Sequence, residues 1–255
     1  MKYFRLLGIM SLLVFSFYLT DRVTELAINT NPLMQNIKSN MVNYEVKSVD
    51  AIIDNNTIIP GIKGKKINEM ESFLNMKDFG SFNDTYLIYD SYSPNVSLDN
   101  NKDKIIISGN KNIRQVSIIV GDNNKVTEYL DRKKIKYSKL IKVDSILNYN
   151  ENINGESSEK SFNDLDTLLN KKKLNKKICI LDYSNIKVCK NKKYYVVNPN
   201  KKINNNNYVN IINNIDNGSI IMIDDYFTVD NFKVLVSKLM SYDLKIVYLS
   251  EIIKE

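Results

Sequence analysis

Gln115-Val116-Ser117-Ile118-Ile119-Val120-Gly121-Asp122-Asn123 is a β-branched apolar run that halts at a Gly-Asp-Asn corner and leads into a helical pattern. A run of this kind, closed by a polar corner and followed by a helix, reads as the first strand of an α/β domain. In such domains ligands and catalytic groups gather where parallel strands end and their βα loops begin. An acid at this corner would stand at a site, which singles out Asp122.

Downstream, strand and helix patterns alternate. Val116–Val120 reads as strand, Lys125–Lys133 as helix, Ile135–Val143 as strand and Ser161–Lys172 as helix. Strands follow at Lys177–Leu181 and Lys193–Val197, then a helix near Tyr208–Ile215, a strand Ser219–Ile223, a helix Val229–Ser241, a strand Leu244–Leu249 and a closing helical turn. Alternation of this kind predicts parallel strands joined by right-handed crossovers. Asn148–Glu159 and Asn204–Asn207 read as polar loops, and no repeat of 20–50 residues stands out.

Upstream, Lys2 and Arg5 precede an apolar segment, Leu6 to Leu19. As a helix this run spans roughly 20 Å, short for a membrane crossing and long for the core of a cleaved signal. The exit, Phe17-Tyr18-Leu19-Thr20-Asp21-Arg22, lacks the small residues of a cleavage site, so residues 1–20 read as an uncleaved signal anchor, with secretion after cleavage as the alternative. The positive-inside rule then puts the remainder outside the cytoplasm. Residues 21–43 read as a juxtamembrane helix or linker interrupted near Asn31-Pro32. Residues 44–112 read as a small α+β module: a strand over Tyr44–Ile53, a turn over Ile59–Gly64, helical spacing from Ile67 to Met76, and short strands at Tyr86–Tyr89 and Lys104–Ile107.

Composition narrows the chemistry. The chain has 255 residues and no histidine, which removes Ser-His-Asp triads, Cys-His dyads and His-ligated zinc together. Its formal charge of +7 suggests attraction to polyanions, with nucleic acid, anionic wall polymers and lipid headgroups as candidates. The lysine runs Lys171-Lys172-Lys173 and Lys192-Lys193 lack a regular aromatic interleave and read as a solvated face, and no nucleic-acid partner is expected. Cys179 and Cys189 could form a disulfide if geometry allows, but Cys179 lies inside an apolar strand and reads as a buried thiol.

The tail carries the most specific pattern: Gly218-Ser219-Ile220-Ile221-Met222-Ile223-Asp224-Asp225, a helix, then Leu244 to Ile253 with Leu249-Ser250-Glu251 in its turn. It resembles the last two βα units of the polysaccharide deacetylase (NodB-homology) family, whose strand closes on His-Asp and whose final turn is Leu-Ser-Glu-Leu-like. Val116 to Asn123 lies over that family's first strand, which ends Thr-Phe-Asp-Asp-Gly, and Ile135-Lys136-Tyr137-Ser138 over its second. The resemblance covers roughly residues 113–255. It implies a distorted (β/α) barrel that removes N-acetyl groups from amino sugars, using one Asp as general base, an Asp and two His to hold a divalent metal, and a later His as general acid.

Carried across residue by residue, the resemblance puts Gly121 at the base, Asp122 at the metal-ligand Asp and Asn123 at the following Gly. Asp224 falls at the acid His and Asp225 at the next Asp, while the His-x-x-x-His metal pair has no counterpart. One ligand of three would leave a divalent ion mostly hydrated and weakly held. A plainer role for Asp122 is to cap the helix starting near Asn124. A two-carboxylate glycosidase would need Asp122 with Asp224 or Asp225, and adjacent strand residues point to opposite faces, so those two cannot both serve. The expected architecture is α/β: a membrane helix, a small α+β module, and a shortened, irregular (β/α) barrel-like domain over 113–255. The expected function is that of an inactive deacetylase-like envelope protein without metal or cofactor, its vestigial positions being Asp122, Asp224 and Asp225. Its expected partner is a cell-wall glycan or anionic wall polymer, and the alternative is an active deacetylase or carbohydrate hydrolase with a rebuilt site.

Overall fold

A computed structural model describes residues 2–145, 147 and 149–255, with side chains from residue 7 onward. Asn148, where the expected polar loop begins, lies outside the described residues, as do Met1, Ile146 and the side chains of Lys2 and Arg5. In chain order the elements are α1 (Lys2–Thr30), α2 (Pro32–Tyr44), β1 (Ile52–Asp54), β2 (Thr57–Ile59), β3 (Gly64–Ile67), α3 (Glu69–Met76), β4 (Tyr89–Tyr92), β5 (Ile105–Ile106), β6 (Gln115–Val120), α4 (Asn124–Lys133) and β7 (Ser138–Ile141). Then follow β8 (Asn152–Asn154), α5 (Glu159–Lys171), β9 (Ile178–Ile180), α6 (Ile186–Asn191), β10 (Tyr195–Val197), β11 (Lys201–Ile203), α7 (Tyr208–Ile212), β12 (Ile220–Ile223), α8 (Val229–Ser241), β13 (Lys245–Val247) and α9 (Leu249–Ile252).

The chain divides into two compact units, one reaching to Ser48 and resuming over Lys63–Tyr92, the other comprising Val49–Ile62 and Ser93–Glu255. In the first, Leu7–Thr30 of α1 is a 24-residue stretch long and apolar enough to cross a membrane, and none of it is buried. The helix runs on through residue 20, where the anchor was expected to give way to a linker, and it breaks at Asn31. There the Asn31 side chain accepts from the Leu33 N–H and Pro32 occupies the first turn of α2. Leu33, Met34 and Ile37 of α2 pack with Phe73 and Met76 of α3 and with Ile67 and Leu87. β3 and β4 pair antiparallel, and Gly64 sits so close beneath the Tyr92 ring that a Cβ would fall 2.1 Å from it.

In the second unit β6 pairs in parallel with β12 along one edge, and with β13 and then β7 along the other. β8 continues from β7, and a parallel bridge from Asn152 to Asn175 leads to the strands β9, β10, β5 and β2. This is an irregular barrel of mostly parallel strands. β6 is buried on both faces from Val116 to Val120, as a strand whose only polar interior residue is Ser117 can be. Val116, Ile118 and Val120 pack against Val126, Leu130, Phe232 and Leu235 of α4 and α8, while Ile119 faces a barrel interior with Ile153, Ile180, Ile220, Met222 and Leu249.

Several expectations shift. Tyr44 closes α2, so the strand expected over Tyr44–Ile53 shrinks to β1, preceded by single bridges at Val46 and Val49. The Tyr86–Tyr89 strand becomes a 3-10 turn at Asp84–Tyr86 followed by β4. β8 lies inside the segment expected as the polar loop Asn148–Glu159, and α6 and β11 had no counterpart. Cys179 and Cys189 are joined in a disulfide between β9 and α6, not left as a buried thiol, because α6 folds back onto β9 and brings their Cα atoms within 6.4 Å. β2 and β5, from the segment expected as a separate module, join the sheet of β9 and β10.

Candidate functional site

The corner after β6 is built from four backbone and side-chain partners. Asn123, not Asp122, caps α4: its Oδ1 accepts from the Val126 N–H, and its Nδ2 donates to the carbonyl of Phe227 at 2.9 Å and that of Asp224 at 3.3 Å. The cap role expected for Asp122 therefore moves one residue along, because only the buried Asn123 can serve the helix and the β12–α8 loop together. Asp122 contributes its backbone N–H, which donates to Asp225 Oδ1 at 2.7 Å, and its carboxylate is exposed. Gly121 lies directly under the Asp225 carboxylate, and a Cβ there would meet Asp225 Oδ1 at 2.5 Å. Asp224 faces elsewhere, its carboxylate accepting from the Tyr226 N–H.

Below the corner lies a residue the sequence did not single out. Lys139 of β7 is 3% exposed, its Nζ donates to the Gly121 carbonyl, and it stands 5.4 Å from the centre of the Tyr149 ring. Burial lowers its ammonium pKa, and the carboxylates of Asp122, Asp225 and Asp131 act in the opposite sense. Burial likewise raises the Tyr149 phenol, which the Asp131 and Asp122 charges push further the same way. One lysine among Lys134, Lys136, Lys139 and Lys142 carries no sequence signal that separates it from its solvated neighbours.

The Leu249-Ser250-Glu251 turn of the tail has a physical explanation. Glu151, 1% exposed and immediately before β8, accepts from the Ser138 hydroxyl at 2.6 Å, the Ser250 N–H at 3.1 Å and the Ser250 hydroxyl, while Ser138 Oγ accepts from the Leu249 N–H at 2.9 Å. A buried carboxylate at the N-terminus of α9 thus satisfies donors the helix cannot bond itself.

The residues present do not fit a divalent metal. Among the described residues no three His, Cys, Asp or Glu side chains converge on one point. The two carboxylates at the corner, Asp122 and Asp225, line one cleft and are oxygen donors only, and the buried Lys139 ammonium lies within electrostatic reach of both. What the corner does offer is an open cleft of about 590 Å³ lined by Asp122, Asn124, Asp225, Tyr226, Thr228 and Asp230. Tyr226 is 87% exposed there. Asp230 is paired with Lys233, whereas Asp122 and Asp225 form no ion pair among the described residues. Acceptors beside an exposed ring suit a polyhydroxylated ligand, and nothing in the cleft can act as an imidazole acid.

No family model matches the chain. It is 33% identical over 101 residues to the "uncharacterized protein YlxY" of Bacillus subtilis (strain 168), a match covering 39% of this chain and about a third, 31%, of that protein's length. Among solved structures it is similar to wild-type BA3943, described as a CE4 family pseudoenzyme from Bacillus anthracis, with 17% identity, a TM-score of 0.57, and 88% of this chain and 95% of that chain covered. A BA3943 mutant described as having restored enzymatic activity is similar at a TM-score of 0.58 and 17% identity, covering 88% of this chain and 98% of that chain. The chain carries the NodB-like polysaccharide deacetylase fold that BA3943 also has.

Proposed function

We propose that this protein is a membrane-anchored, extracytoplasmic envelope protein whose deacetylase-like domain performs no deacetylation and instead holds a cell-wall glycan in the cleft at Asp122 and Asp225. The observation that carries the reading is the corner itself. Gly121 stands where the base would be, the Asp225 carboxylate covers it, and Asp122 has no imidazole partner in a chain without histidine. Metal-assisted amide hydrolysis needs an activated water and a proton for the departing amine, and these residues provide for neither. Asp122, Asp224 and Asp225 are vestigial positions on this reading. The anchor is α1, and the Cys179–Cys189 disulfide is in keeping with an oxidising compartment.

Binding is tested by co-sedimentation of the detergent-solubilised full chain with purified peptidoglycan. The native protein is expected to pellet with the wall material, and Tyr226→Ala, which removes an exposed ring worth about 1 kcal/mol or more of stacking, is expected to bind several-fold more weakly. Equal retention of the two proteins would overturn the cleft as the glycan site.

A further inference from the structure

The charge of the chain is not spread over its surface. Residues 171–193 hold nine lysines and one acid, Asp182, a local charge of +8. The other 232 residues therefore carry −1 of the chain's +7. Asp182 is paired outside this stretch, with Lys202 at 3.0 Å. Of the nine lysines only Lys192 has an acidic partner among the described residues, Asp166 at 2.6 Å. All nine are exposed.

The fold joins two lysine runs that are apart in sequence. Lys171–Lys173 end α5 and Lys176-Lys177 lead into β9, while Lys187 and Lys190 lie on α6 and Lys192-Lys193 lead into β10. β9 and β10 pair in parallel with Tyr195 opposite Ile178, and the Tyr195 N–H donates to the Lys177 carbonyl, so both runs meet at the N-terminal ends of these strands. The Asp122 cleft lies at the other ends of the parallel strands. A favourable interaction with helix dipoles explains a lysine in the last turns of α5 and α6 but not the remaining seven. The base beneath is fixed. Asp166, 4% exposed, accepts from Lys192, from Asn175 at 2.6 Å and from the Tyr194 hydroxyl, and the Cys179–Cys189 disulfide ties α6 to β9.

We propose that this lysine surface is a docking site for a linear phosphodiester polymer. Eight cations without acidic partners on a rigid base match closely spaced phosphates, and the match is electrostatic. A surface built to enter a bilayer adds apolar side chains to its cations, and one built to track single-stranded nucleic acid adds stacking rings. Among the large apolar side chains described in 171–193 only Tyr183 is exposed.

The test uses the full chain in neutral detergent with poly(glycerol phosphate) as the probe. Binding is expected, weakening at least tenfold between low and physiological salt. Lys172→Glu/Lys176→Glu/Lys190→Glu is expected to weaken it at least thirtyfold at low salt, and Lys233→Glu/Lys238→Glu/Lys245→Glu, the same charge change elsewhere, by no more than threefold. Equal losses in the two triple variants, or no binding to the polymer, would overturn the proposal. So would tighter binding to phosphatidylglycerol vesicles or to single-stranded DNA at equal phosphate. Should the first triple variant not fold, acetylation footprinting of the native chain decides. The polymer is expected to protect the lysines of 171–193 at least fivefold over all others, and uniform protection would contradict the site.

Discussion

Asn123 holds more of the corner together than either carboxylate beside it. Losing its cap to α4 and its bonds to the β12–α8 loop, Asn123→Ala is expected to cost about 2–3 kcal/mol of unfolding free energy in urea titration. Asp122→Ala, which leaves the backbone donor in place, is expected to change it by no more than about 0.5 kcal/mol. Gly121 and Asp225 are coupled more tightly. Gly121→Ala drives Asp225 from the Asp122 N–H and should cost about 1 kcal/mol, a cost expected to vanish in an Asp225→Ala background when measured as a double-mutant cycle. Gly121, Asp122, Asp224 and Asp225 were singled out in the sequence by their resemblance to a family pattern. Lys139 and the transfer of the cap to Asn123 were not, because both depend on which segments stand next to β6 in space.

At the scale of elements, long periodic segments were readable and short ones were not. α8 has the bounds its apolar spacing predicts, and β6 and β12 follow their β-branched runs. β8, the three residues Asn152–Asn154, has two asparagines, so no hydrophobic pattern could announce it; its place is set by Glu151 and by pairing with β7. α6 was hidden because its six residues are too few to display a helical period, and with it the disulfide. Replacing Cys179 and Cys189 by serine is expected to lower stability by about 2–3 kcal/mol, read as a shift of the denaturation midpoint against the oxidised protein. Nearby, burial and the bond to Asp166 push the Tyr194 phenol up to about 12. A phenol raised in the folded state stabilises fully below pH ~10, the ordinary tyrosine value, and loses that contribution as pH climbs toward 12. The melting temperature is therefore expected to fall more steeply above pH 10 in the native chain than in Tyr194→Phe, and identical slopes would contradict the assignment.

For the molecule as a whole, the alternation of strand and helix after residue 112 disclosed the α/β architecture, and the tail motif pointed to its relatives. The participation of β2 and β5 was not visible, since two- and three-residue strands acquire meaning only when β10 lies beside them. On the proposed reading, the second unit is a deacetylase-like barrel whose catalytic corner has become a structural joint. The most direct test of that claim is acetate release from N-acetylglucosamine oligomers and peptidoglycan by the full chain, with and without added zinc or manganese. No release above a heat-denatured control is predicted under either condition. Metal-dependent release that Asp122→Asn abolishes would contradict it.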